Sequence, residues 1–133
     1  MRYAKTTSVT VEKSQIQIQQ VLKKYGADQF MYAWADETVM IGFRIDGYPV
    51  QIQIPMPEKP QEQRQAMRVL LLLIKAKLEW IETGLSTVAA EFMAQLMLPN
   101  GQSMAQWALP HLESGKMPRS LPALPEPKEK VDE

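Results

Sequence analysis

The chain has 133 residues, with 15 Lys and Arg against 15 Asp and Glu and no cysteine. That length suits one domain with a core of ordinary size, and a net charge of zero gives neither the basic field of a general nucleic-acid binder nor the acidic excess of a nucleic-acid mimic. Without cysteine there are no disulfides, thiolate nucleophiles or thiolate metal ligands.

The apolar runs are too short to span a bilayer. Met1-Arg2-Tyr3-Ala4-Lys5-Thr6-Thr7 lacks the apolar centre of a signal peptide, so a cytoplasmic location is expected. The charges are unevenly spread. Arg2, Lys5, Lys13, Lys23 and Lys24 face a single acid, Glu12, in residues 1–27, whereas Asp28, Asp36, Glu37 and Asp46 outnumber Arg44 from there to Pro57.

Residues 1–10 read as an extended arm. Ile18, Val21, Leu22 and Tyr25 have helical spacing within Val11 to Tyr25, and Gly26 is a natural stop. Its start has two candidates: Ser14 with Gln17 forms a capping-box pattern, and Thr10 would cap a longer helix. Ile16 lies off the apolar stripe, either exposed or under the arm.

Three strands follow. Phe30, Tyr32 and Trp34 alternate with Met31, Ala33 and Ala35; Val39, Ile41, Phe43 and Ile45 alternate with Met40, Gly42 and Arg44. Asp46-Gly47 is a strong type I′ hairpin signal, and Val50, Ile52 and Ile54 then alternate with Gln51 and Gln53 up to Pro55. The expected product is an antiparallel β-meander with one apolar face. Its other face is mild, neither a second core nor strongly charged. It reads either as an ordinary solvated surface or as a docking surface with Met31, Met40, Arg44, Gln51 and Gln53 as candidate contacts.

Gln61 to Glu82 is a long helix whose centre, Val69-Leu70-Leu71-Leu72-Leu73-Ile74, is apolar all round and must be covered on at least two faces. Met67, Leu70, Leu71, Ile74, Leu78 and Ile81 form its main stripe; Leu73, Lys77 and Trp80 form a second. Lys75 and Glu79 have the spacing of a surface ion pair. Gly84 ends the helix.

Ser86 or Thr87 opens another helix carrying Val88, Phe92 and Leu96, with Met93 and Met97 alongside. After the turn Pro99-Asn100-Gly101, Ser103 and Gln106 form a capping box for a short helix containing Met104 and Trp107. Pro110 suits the first turn of a last piece stopped by Gly115. From Met117 the composition becomes proline-rich, with Pro118, Pro122, Pro125 and Pro127 favouring an extended tail over residues 117–133. Pro122 and Pro125 have PxxP spacing, and Leu121 and Leu124 are available to tie the tail to the helices.

Reactive groups are sparse. His111 is the only histidine, and neither a nucleophile nor an orienting acid accompanies it. The acids of the strand region lie mostly in turns, where Asp is favoured for backbone reasons. A helix followed by three strands is similar to the opening of restriction-type nuclease cores, but Val50-Gln51-Ile52-Gln53-Ile54 lacks their acid-x-lysine strand. There is no phosphate-binding glycine loop. No enzyme, catalytic residue, metal or cofactor is expected.

The order helix, three strands, helix is also similar to a double-stranded-RNA-binding domain, whose second helix opens with phosphate-gripping lysines. Here that opening reads Pro60-Gln61-Glu62-Gln63-Arg64-Gln65-Ala66-Met67-Arg68, without the lysine pair. Lys23, Lys24, Arg64, Arg68, Lys75 and Lys77 are the candidate nucleic-acid contacts under this alternative.

Several phrases together point to a family: Lys5-Thr6-Thr7 with Val11 and Ser14, Tyr25-Gly26-Ala27, Ile54-Pro55-Met56-Pro57, Ile74-Lys75-Ala76-Lys77-Leu78-Glu79, Glu91-Phe92-Met93-Ala94 and Leu98-Pro99-Asn100-Gly101. The chain resembles a family of small proteins of bacteriophages, prophages and bacterial mobile elements, over nearly its whole length to Leu124. It departs from that pattern in a short link between third strand and long helix. The resemblance implies an origin, with no reaction or site residues to carry over.

The expected fold is α+β, in α-β-β-β-α-α order: an N-terminal helix, a three-stranded antiparallel meander, a long central helix, and short C-terminal helices covering its far side. Residues 11–116 form its single domain. Two functional readings follow. The first is a non-enzymatic phage or mobile-element protein that binds a protein partner, for example a nucleic-acid-processing complex such as a host defence nuclease. The second is a small DNA- or RNA-binding accessory protein. A second copy is another cover for the all-round apolar helix, which leaves a homodimer open, and no membrane role is expected.

Overall fold

The structure, a computed structural model, describes residues 10–116 and Pro118. The N-terminal arm and the proline-rich tail otherwise lie outside the described residues. The chain forms helix α1 (Val11–Lys24), strands β1 (Gln29–Ala35), β2 (Thr38–Ile45) and β3 (Tyr48–Pro55), helix α2 (Pro60–Glu82), a one-turn helix α3 (Val88–Glu91), a 3-10 turn (Met93–Gln95) and helix α4 (Met104–Ser114). This is the α+β order expected from the sequence.

Thr10 caps α1, its hydroxyl accepting from the Lys13 N–H at 3.1 Å. Ser14 therefore lies inside the helix, on the same buried face as Ile18 and Leu22. Ile16 is exposed. Gly26 ends the turn after α1 with φ +102°, a conformation that costs a residue without a Cβ little.

The sheet has order β1-β2-β3, antiparallel throughout. Asp46 and Gly47 both have positive φ, as a type I′ turn requires. The core face brings Phe30 opposite Phe43, Tyr32 opposite Ile41 and Val50 opposite Phe43. Trp34 shares that alternation but lies at the strand's end on the sheet's edge and is 72% exposed.

Both long helices cover this one face. Ile18 and Leu22 of α1, Met67, Leu71 and Ile74 of α2, and Ile41, Phe43 and Val50 of the sheet belong to one buried cluster. The helices run in the same direction, since the starts of both line one cleft and the Arg68 Nη1 donates to the Gln17 Oε1 further along, at 3.3 Å.

Here the structure departs from the expected covering of α2. Its apolar centre is covered on two sides by α1 and the sheet, while Leu73 and Trp80 on the far side remain exposed. The C-terminal segment completes the existing core. Val88, Phe92 and Leu96 join it, and Phe92 meets Phe43 edge-on with ring centroids 5.5 Å apart.

Thr87 caps α3, accepting from the Ala90 N–H, while the Ser86 hydroxyl donates to Glu91. The helix expected here is short because Leu96 must extend to bridge Val50, with the Met97 N–H donating to the Pro49 carbonyl at 2.9 Å. The Ser103–Gln106 capping box forms as read. Helix α4 runs on continuously through Pro110 to Gly115, whose φ is +72°, so no separate last piece exists.

Candidate partner-binding surface

Strand alternation sends Met31, Ala33, Met40, Gly42, Arg44, Gln51 and Gln53 to the outer sheet face. Gly42 is the floor. A Cβ placed on it would stand 3.5 Å from the Met31 Cε and 3.6 Å from the Met40 Sδ, so both thioethers lean over this glycine from neighbouring positions. Beside them a groove of about 490 Å³ runs between Gln29, Met31, Arg44, Pro49, Gln51 and Met97. A smaller depression of about 240 Å³ continues past Gln51 to Gln53, Ser103 and Gln106. The five candidate contacts thus share one face, which β3 extends toward the start of α4.

Arg44 has another job. Its Nε and Nη2 donate to the two carboxylate oxygens of Asp28 at 3.0 and 2.6 Å, and its carbonyl accepts from the Asp28 N–H. The side-chain hydrogen bond to Asp28 holds the guanidinium pKa above its ordinary value. A bidentate pair of this kind fixes orientation more than it stabilises an exposed site. It also neutralises the only charge that the described residues place on the face. What remains is methionine and glutamine, a polarizable, adaptable lining with amide donors and acceptors.

The candidate nucleic-acid contacts are dispersed. Lys77 donates to the Glu91 carbonyl at 2.7 Å, lies 3.9 Å from the Glu91 carboxylate and sits over the Phe92 ring, so it serves the core's rim. Arg68 bonds Gln17, and Arg64 Nη2 donates to Gln61 at 2.6 Å. Lys23, Lys24 and Lys75 are exposed; Lys24 lies 5.8 Å from the centre of the Tyr25 ring. Lys75 and Glu79 do not pair among the described residues.

The start of α2, where an RNA-binding domain would grip phosphate, shares a cleft of about 520 Å³ with Glu12, Asp36 and Glu37. Burial, and to a lesser extent Glu12, raises the pKa of Tyr32 in that cleft. His111 stacks at a tilt on Trp107, 4.9 Å between ring centres. Among the described residues no group of three His, Cys, Asp or Glu side chains is placed to hold a metal ion, and no helix is long and apolar enough to cross a membrane.

A second apolar surface was hidden by the expected C-terminal cover. Ala66, Val69, Leu73, Ala76 and Trp80 recur at alternating intervals of three and four along α2, the spacing of a helix-packing seam. With Ile54, Pro55 and Pro57 the first three of these line a shallow groove of about 600 Å³. That spacing was the available signal. Comparison of the chain with protein-family models, with curated proteins and with solved structures finds no match.

Proposed function

We propose that the protein is a non-enzymatic binding module of a phage or mobile element, and that it docks a protein partner on the outer sheet face. The observation that carries this reading is the methionine-lined floor around Gly42, where the neighbouring cation, Arg44, is internally neutralised by Asp28. Methionine-rich surfaces accommodate protein side chains of varied shape. Among the described residues a phosphate backbone finds no unpaired positive charge there. The partner class proposed with it is a nucleic-acid-processing protein complex, such as a host defence nuclease.

The test compares the wild-type chain with a Met40→Lys/Gln51→Lys variant as bait in a nuclease-treated bacterial lysate, washed at moderate and high salt. The expected result is a defined protein retained by wild type at both salt concentrations and lost with the variant, whose own melting temperature is unchanged. Retention by both chains would place the contact elsewhere. Recovery of nucleic acid instead, weakening steeply with salt as counterion release requires, would favour an accessory nucleic-acid binder.

A further inference from the structure

We propose that two copies of the chain pair antiparallel along their β1 strands, joining two three-stranded sheets into one of six. The starting point is an asymmetry between the sheet's edges. β3 is shielded by the Val50–Leu96 bridge and the Met97-to-Pro49 hydrogen bond, and it carries Pro49 and Pro55. β1 pairs only with β2 among the described residues, and Gln29-Phe30-Met31-Tyr32-Ala33-Trp34-Ala35 contains no charge, proline or glycine. Among the described residues such an edge has neither the charge and proline nor the paired segment that usually discourage strand addition.

The backbone settles which groups are offered. The Glu37 carbonyl accepts from the Met56 N–H at 2.6 Å, continuing the β2–β3 register outward. Antiparallel ladders alternate, so odd-numbered residues of β2 bond toward β3 and even-numbered ones toward β1. The register of Met31 with Gly42 and Ala33 with Met40 then directs the odd-numbered residues of β1 toward β2. Phe30, Tyr32 and Trp34 are left with their N–H and C=O groups pointing out of the sheet.

A two-fold axis beside Tyr32 uses all of these groups. It places Tyr32 opposite the partner's Tyr32 and Phe30 opposite the partner's Trp34, so six outward groups on each strand find six complements. The same register sets Met31 against the partner's Ala33 and Gln29 against the partner's Ala35, large against small on the outer face. One step further, Asp28 approaches the partner's Asp36, and Arg44 has already neutralised Asp28. The aromatic row stays on the core-facing side, where it gives Trp34 a neighbour. An isologous, self-complementary edge of this kind fits a second copy of the same chain.

The test uses the full chain in light scattering across a concentration series, with hydrogen exchange read at the Phe30, Tyr32 and Trp34 amides. The expected result is a dimer in which these three amides are protected and lose protection on dilution. Met31→Glu with Ala33→Glu puts acid opposite acid twice across the axis and should weaken the dimer about tenfold. Met31→Glu with Ala33→Lys puts acid opposite base and should restore it.

A monomer with fast exchange at these amides would overturn the proposal. So would a monomer with concentration-independent protection, which would mean that residues 1–9 or another segment of the same chain covers the edge. A dimer indifferent to both charge patterns would assign association to another surface, with the α2 seam at Leu73 and Trp80 the first to examine.

Discussion

Replacing Ser14 with alanine should stabilise the protein. The Ser14 side chain is 0% exposed, and its Oγ has no hydrogen-bond partner among the described residues. A buried hydroxyl left unsatisfied costs about 1–3 kcal/mol. The lower end applies here, since the group is small and sits one turn after the Thr10 carbonyl, which already accepts from the Ser14 N–H at 3.1 Å. Alanine also gains roughly 0.5 kcal/mol of helix propensity over serine. The lost oxygen contacts return a few tenths of a kcal/mol in the other direction.

The net expectation is about 1 kcal/mol of added stability, or roughly 4 °C in Tm for a domain of this size. Urea titration followed by far-ultraviolet circular dichroism measures it directly, with an unchanged m-value confirming that the same transition is being compared. Two companions test the packing part. Ser14→Gly, which also removes the hydroxyl, should fall about 1 kcal/mol below Ser14→Ala through backbone freedom and so lie near wild type, and Ser14→Leu should cost about 1–3 kcal/mol through overpacking. If Ser14→Ala were less stable than wild type by 1 kcal/mol or more, the hydroxyl would have a partner after all and the reasoning would fail.

Phe92→Ala should cost about 3–5 kcal/mol in a single cooperative transition, because Phe92 is fully enclosed and closes the core against Phe43; an early, separate melt of the C-terminal segment would contradict this. Gly42→Ala should be tolerated or stabilising by about 0.5–1 kcal/mol, since a Cβ there meets the flexible ends of Met31 and Met40 at ordinary contact distance; a loss above 1 kcal/mol in the same urea assay would show that the floor cannot give. Tyr32 should ionise above its ordinary 10.0, so its contribution to stability is complete below about pH 10 and is lost as pH rises through the higher folded value. Phenolate absorbance, with Glu12→Gln moving the transition part of the way back, checks both direction and cause.

Most of the fold was legible because its signals are local. Two-residue alternation fixed three strands, Asp46-Gly47 fixed a hairpin, and Gly26, Gly84 and Gly115 marked helix ends with backbone conformations that suit glycine. The misreadings came where a distant contact overrode a local pattern. The helix begun at Thr87 looked continuous through Leu96, yet Leu96 is needed as an extended residue beside Val50. The all-round apolar centre of α2 correctly demanded two covered faces. Sequence could not say that α1 and the sheet would supply both, leaving Leu73 and Trp80 outside.

The candidate surface was half legible for a related reason. Alternation alone put Met31, Met40, Gln51 and Gln53 on one face, whereas the availability of a charge depends on what lies opposite it in space. Arg44 looks like a partner-binding cation until Asp28, 16 positions earlier, occupies both prongs of its guanidinium. Lys77 looks like a phosphate contact until Glu91, 14 positions later, takes its ammonium.

Both pairings leave fewer unpaired cations for a phosphate backbone than the composition suggests, and salt discriminates between the two functional readings because only phosphate contacts release condensed counterions. They also link the proposed partner face to the proposed dimer. Met31 would lie beside the two-fold axis, while Met40 and Gln51 lie one and two strands further away. A partner centred on Met31 would straddle the axis and bind once per dimer; one centred on Met40 and Gln51 would bind twice. Stoichiometry therefore locates the contact on the face, independently of any substitution.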